Sequence, residues 1–192
     1  HAAALAIYGD LVTRKTATPD EIWLRMGRAA LAGRDTDRAS EIFARVYYEF
    51  PFSDLAAQAR TELDRMRALE PLARGNARYR LDLGRAQRLF GGRRYADAES
   101  AFTALRPYAT GADRDLIALR LAETSVHRRR FQAAHKALGA LIDEGPLQDE
   151  ALYYYASTRR SQGAASDSVR TVRQLADRAP ASPRTEAALN DL

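Results

Sequence analysis

The stretch RRYADAESAFTALRP, Arg93 to Pro107, admits two readings that lead to different proteins. It contains Glu99-Ser100-Ala101-Phe102, a Glu-Ser-x-Phe string in which Glu99 is a candidate catalytic acid. The same residues place Ala98, Phe102 and Leu105 on one stripe of a helix, with Glu99 beside that stripe and facing solvent. The rest of the chain decides between them.

The stripe recurs. Ala39, Ala98, Ala134 and Ser168 are equivalent small residues; four positions later stand Phe43, Phe102, Leu138 and Val172, and seven positions later Val46, Leu105, Leu141 and Leu175. Twelve positions before each small residue stands another: Gly27, Ala86, Ala122 and Ala156. Three copies close on a proline, Pro51, Pro146 and Pro180. Small residues let two helices approach closely, large ones at +4 and +7 fill the space beside them, and proline ends the helix.

This pattern resembles the tetratricopeptide repeat, whose period is about 34 residues. The first copy carries it most fully, in Trp23, Met26, Gly27, Ala39, Phe43, Val46 and Pro51. The resemblance implies an all-α fold, an α-solenoid of antiparallel helix hairpins with about 10–11 helices, stacked because one hairpin cannot bury its apolar face alone. The expected organisation is a single superhelical domain over 1–192, with sub-arrays at about 1–69 and 76–192 joined by a break at 70–75. That break follows from the spacing between Ala39 and Ala98, which is neither one period nor two, and from Pro71 and Gly75. A helix over about 53–69, capped by Ser53, fills part of the interval. The strand-like runs Tyr47–Phe50 and Tyr153–Tyr155 fall inside helical periodicity. The opening AALAIYGDLVTR reads as the second helix of a repeat, and the closing SPRTEAALNDL as the start of a first helix, so the chain reads either as a piece cut from a longer array or as an array capped by half repeats.

Composition narrows the function classes. The 192 residues are 46% hydrophobic and 29% charged, which suits a folded globular chain. No apolar run approaches the ~18–20 residues of a membrane span. No signal peptide is recognisable, and the chain opens on His1. With no cysteine, disulfides and thiolate chemistry are excluded. The net charge is +5, and only Lys15 and Lys136 are lysines among the cations. A basic balance invites nucleic acid, but 25 acidic residues interspersed among 30 basic ones argue against that partner.

Candidate chemistry is sparse. A glycosidic-bond-cleaving acid needs an apolar pocket to hold its proton, and Glu99 already falls beside a packing stripe. His127 and His135 lack the spacing of a metal-binding helix, so no metal or cofactor is expected. FGGRR at 90–94 lacks the Gly-Lys-Ser/Thr ending of a phosphate loop and reads as a turn. The clusters Arg93-Arg94, Arg128-Arg129-Arg130 and Arg159-Arg160 recur at the ends of first helices, where cations complement the helix dipole and line a rim that suits an anionic partner.

A second resemblance covers about residues 20–183. ASEIFARVYYEFPFSDLAAQARTEL, then a break, then LGRAQRLFGGRRYADAESAFTAL, together with ALYYYASTRRSQGAASDSVRTVRQLADRAPASP, is similar to the amino-terminal superhelical region of bacterial soluble lytic transglycosylases. In those enzymes a Glu-Ser string surrounds the catalytic acid, but a Gly-rich stretch ending in Leu-Met-Gln follows it. Here TALRPYATGADRDLIALR follows instead, so the family's catalytic glutamate maps onto no residue of this chain. The resemblance implies a non-catalytic, periplasmic scaffold that positions peptidoglycan, with catalysis in a separate domain. In such a solenoid the first helices line the concave face, and the residues there that packing does not use are Arg28, Arg80, Gln87, Glu123, His127, Tyr153, Ser157 and Arg160. This mixed polar and aromatic set suits a glycan or peptide strand. The alternative is an adaptor whose concave face binds a peptide segment of a partner protein, and a third reading is an intact enzyme using Glu99.

Overall fold

A computed structural model describes residues 1–14, 16–143 and 145–192. The described residues form eleven α-helices and one short 3-10 turn, with no strand. The tyrosine runs 47–48 and 153–155 lie inside helices. The chain divides into two compact units, His1–Gly92 and Arg93–Leu192.

The first unit holds α1 (Ala2–Thr13), α2 (Pro19–Ala32), α3 (Thr36–Glu49), α4 (Leu55–Arg65) and α5 (Ala77–Gly91). Local chemistry sets the starts. Pro19 opens α2 with Asp20 and Glu21 in its positive first turn. Asp35 accepts from the Arg38 amide at 3.1 Å, and Asn76 from the Tyr79 amide at 2.9 Å. Ser53 accepts from the Leu55 amide at 3.0 Å, so the expected helix starts near Ser53 but ends at Arg65, short of 69. Residues 66–76 carry no helix.

Within this unit α1 packs on α2, α2 on α3, and α3 on α4. Its core is Leu24, Met26, Ala30, Ala39, Ile42, Phe43, Val46, Ala59 and Leu63. Gly27 lies so close to the Phe43 ring that a Cβ there would stand 2.7 Å from it. Helix α5 joins α3 by polar contacts: Tyr48 donates its hydroxyl proton to Asp82 at 3.0 Å, and Arg85 and Arg88 donate to the carbonyls of Tyr47 and Tyr48 at 3.1 and 2.5 Å. These arginines satisfy carbonyls that the end of α3 leaves open.

The second unit holds α6 (Tyr95–Leu105), the 3-10 turn Arg106–Tyr108, α7 (Ala112–His127), α8 (Phe131–Gly139), α9 (Gln148–Ser161), α10 (Ala165–Arg178) and α11 (Pro183–Asn190). Each helix from α6 to α10 packs on the next, and α11 packs on both α9 and α10. The small positions are buried throughout: Ala98, Ala122, Ala134, Ala156 and Ser168. The Ser168 hydroxyl donates to the Ala156 carbonyl at 3.0 Å, so two register positions touch directly between α9 and α10. Phe102, Leu105, Leu138, Val172 and Leu175 are buried as their spacing requires. Leu141 departs from the pattern. Helix α8 stops at Gly139, a poor helix former, and Leu141 packs half-buried from the turn beyond.

Helix ends share one device. Arg34, Arg67, Arg93 and Arg129 have positive φ, at 65°, 52°, 61° and 60°. At Arg129 the amide donates to the Val126 carbonyl and the Arg130 amide to the Ser125 carbonyl, both at 2.8 Å; Arg34–Asp35, Arg67–Ala68 and Gly163–Ala164 repeat this paired closure.

Candidate functional site

Glu99 is a bridging residue. It sits on α6, three-quarters covered, and accepts from Arg128 and from Arg130, the latter at 2.5 Å. Both arginines belong to the turn between α7 and α8, so the pairing ties that turn to α6. The expectation of a solvated side chain is corrected: the cations of the RRR turn recruit it. Two guanidinium donors are the reverse of the apolar pocket a general acid requires.

The eight face candidates divide between the units. In the first, Arg28, Arg80 and Gln87 are exposed, and Arg28 donates to Gln58 on α4 at 2.9 Å. In the second, Glu123 and His127 lie on α7, and Tyr153, Ser157 and Arg160 on α9. Tyr153, Ser157 and Arg160 line one crevice together with Asp191. Tyr153 donates to Asp191 at 3.4 Å, and Arg160 pairs with it at 3.5 Å.

Glu123 does not lie on an open face. It is fully buried, because Arg120, one turn earlier, folds back and donates to its Oε2 at 2.6 Å. Its other oxygen, Oε1, has no hydrogen-bond partner among the described residues. Burial pushes the carboxyl up to about 7, against the lowering effect of Arg120. The same Arg120 nitrogen lies 3.3 Å from Glu150 Oε1, which also takes the Arg184 guanidinium from α11. Four charged groups from α7, α9 and α11 thus form one chain.

Above them runs an aromatic seam. Tyr95 and His127 stack nearly parallel with centroids 4.3 Å apart; His127 meets Tyr154 edge-on at 6.1 Å; Tyr154 meets Tyr153 at 5.0 Å. The seam crosses from α6 through α7 to α9. Arg184 lies over its far end, 5.3 Å from the Tyr153 ring and 5.5 Å from that of Tyr154. Burial, then the nearby Arg93 cation, lowers the His127 pKa, so its ring is neutral near pH 7. Burial and the Glu123 charge raise the Tyr154 hydroxyl to about 12. Rings, guanidinium groups and carboxylates at this spacing equip the surface for stacking and hydrogen bonding.

The sequence reading missed Tyr95, Tyr154, Arg120, Glu150 and Arg184. One signal was present: Arg184 follows Glu150 by 34 residues, one period of the repeat, and Asp82 follows Tyr48 by the same 34. Among the described residues no group of three His, Asp or Glu side chains is placed to hold a metal ion, and no helix is long and apolar enough to cross a membrane. Comparison with known proteins found no family model that matches the chain and no curated protein that matches its sequence.

Proposed function

We propose that this chain is a tetratricopeptide-like solenoid of helix hairpins that acts as a non-catalytic scaffold, positioning peptidoglycan for a lytic transglycosylase-like protein in the periplasm. The architecture is supported by the burial of small residues at every register position and by the Gly27–Phe43 and Ser168–Ala156 contacts. The observation that carries the binding role is the seam Tyr95–His127–Tyr154–Tyr153. Sugar rings present apolar faces that stack on aromatic side chains, and the amides and carboxylates of the cell-wall polymer suit the flanking Arg160 and Arg184. The bridging of Glu99 by Arg128 and Arg130 supports a structural role for that residue.

Co-sedimentation with purified peptidoglycan tests the reading. The wild-type chain is expected to pellet with the polymer, and a His127→Ala, Tyr153→Ala variant to remain several-fold more in the supernatant. Equal sedimentation of the variant, or none of the wild type, refutes it. The opposite-sign pairs at the Tyr153 end, Arg160–Asp191 and Arg184–Glu150, favour a second reading, an adaptor for a peptide segment of a partner protein. Retention of a peptide ligand with no polymer bound would select that reading.

A further inference from the structure

We propose that Glu123 is a proton-operated control on the aromatic seam: protonation of its carboxyl releases Arg184 from Glu150 and uncovers the rings of Tyr153 and Tyr154. The inference rests on the reading of this seam as the ligand-holding surface.

The geometry is a relay with shared atoms. One nitrogen of Arg120 serves both Glu123 Oε2, at 2.6 Å, and Glu150 Oε1, at 3.3 Å. That same Glu150 oxygen also holds Arg184. With both acids ionised the quartet carries two charges of each sign. With a proton on Glu123, the two guanidinium groups share the single remaining negative charge, that of Glu150. The loss falls on Arg184, because its side chain is 38% exposed against 21% for Arg120 and is the more readily hydrated of the two. When it moves, it leaves both tyrosine rings.

Linkage gives the same sign. The Arg184 charge lowers the proton affinity of Glu123. By reciprocity, a proton on Glu123 weakens the seat of Arg184 by the same factor. The groups facing Glu123 are Arg120 on its own helix, Glu150 and Tyr154 from α9, and Arg184 from α11. His127 lies one turn further along α7, within the field of Arg93. Burial of the ionised carboxyl makes proton uptake favourable, and among the described residues Glu123 Oε1 has no hydrogen-bond partner to offset it. Its elevated proton affinity brings the event to neutral pH.

The test uses the full chain with no ligand. NMR follows the Arg184 guanidinium signal and the ring protons of Tyr153 and Tyr154 from pH 8.5 to 5.5. The protection of the Arg184 guanidinium, read as its exchange rate against that of a free arginine at the same pH, is expected to fall on the order of five-fold as pH falls, with a midpoint near 7 shared by the ring signals. Glu123→Gln is expected to give the acid pattern at every pH, and Arg184→Met to abolish the ring transition. Arg184 protection that stays constant across the range overturns the proposal. So does a transition that persists in Glu123→Gln, which would assign it to His127. Polymer co-sedimentation at pH 6 and 8.5 is read separately: absence of binding at both refutes the scaffold reading, while the ligand-free titration still decides the switch.

Discussion

Replacing Gly27 by alanine tests the packing that defines the fold. The added Cβ would lie 2.7, 2.9 and 3.0 Å from three carbons of the Phe43 ring. Phe43 is fully buried in the core of the first unit, and Gly27 is on α2 directly opposite. The ring has no solvent to move into, so the backbones of α2 and α3 must separate. Overpacking of this kind costs about 1–3 kcal/mol. The gain in helix propensity offsets about 1 kcal/mol of it. A net loss of up to roughly 2 kcal/mol follows, a Tm drop of up to about 8 °C for a chain of this size. Gly84, in α5, is the control: a Cβ there meets nothing within 4 Å, so Gly84→Ala is expected to stabilise by about 1 kcal/mol. The assay is urea unfolding followed by circular dichroism. Adding Phe43→Leu to Gly27→Ala removes part of the ring and is expected to recover part of the loss, a coupling that a double-mutant cycle measures. If Gly27→Ala is more stable than the wild type, as Gly84→Ala is expected to be, the close approach of α2 and α3 is wrong.

Three further outcomes are expected. Glu123 binds its proton more tightly folded than unfolded, from an ordinary value of 4.5 to about 7. The folded state therefore holds more protons in that window, and stability falls as pH rises through it, by roughly 3 kcal/mol in total at about 1.4 kcal/mol per pH unit; urea titrations at pH 5 and 8 should differ accordingly, and Glu123→Gln should flatten the difference. Arg129 holds a left-handed backbone at φ 60° while its side chain is exposed, so Arg129→Gly should stabilise by about 0.5–1 kcal/mol in the same assay. Phe102→Ala should destabilise by about 3–5 kcal/mol, because a fully buried ring leaves a cavity between α6 and its neighbours; a loss below 1 kcal/mol in calorimetry would contradict its burial.

The helices were legible because burial follows spacing. Ala98, Phe102 and Leu105 lie where the period puts them, and so do their counterparts around Ala39 and Ser168. The candidate site was only partly legible. Spacing identifies the side of a helix on which Glu123 lies, and polarity suggests water there. It does not register that Arg120 and the two chain-distant partners Glu150 and Arg184 close over that side. Glu99 failed in the same way: its partners Arg128 and Arg130 stand 29 and 31 residues away, and nothing local announces them. The end of α8 escaped because a glycine inside a periodic run lowers helix stability without altering the pattern around it. The left-handed closures at Arg34, Arg67 and Arg129 escaped because glycine is the usual sign of one and arginine stands there instead, although the Arg128–Arg130 cluster was expected at a helix end.

The two polar bonds that join residues 34 apart bear on modularity. Tyr48–Asp82 pairs a phenol with a carboxylate, and Glu150–Arg184 pairs a carboxylate with a guanidinium. The apolar register is interchangeable, since any Ala-Phe-Leu set would fill the same space. These bonds are not. In a chimera with α9 in the place of α3, both fourteen residues long, Arg160 would stand where Tyr48 stands, and the phenol–carboxylate bond to Asp82 would be replaced. The order of these segments along the chain thus depends on polar pairs that the apolar spacing does not contain.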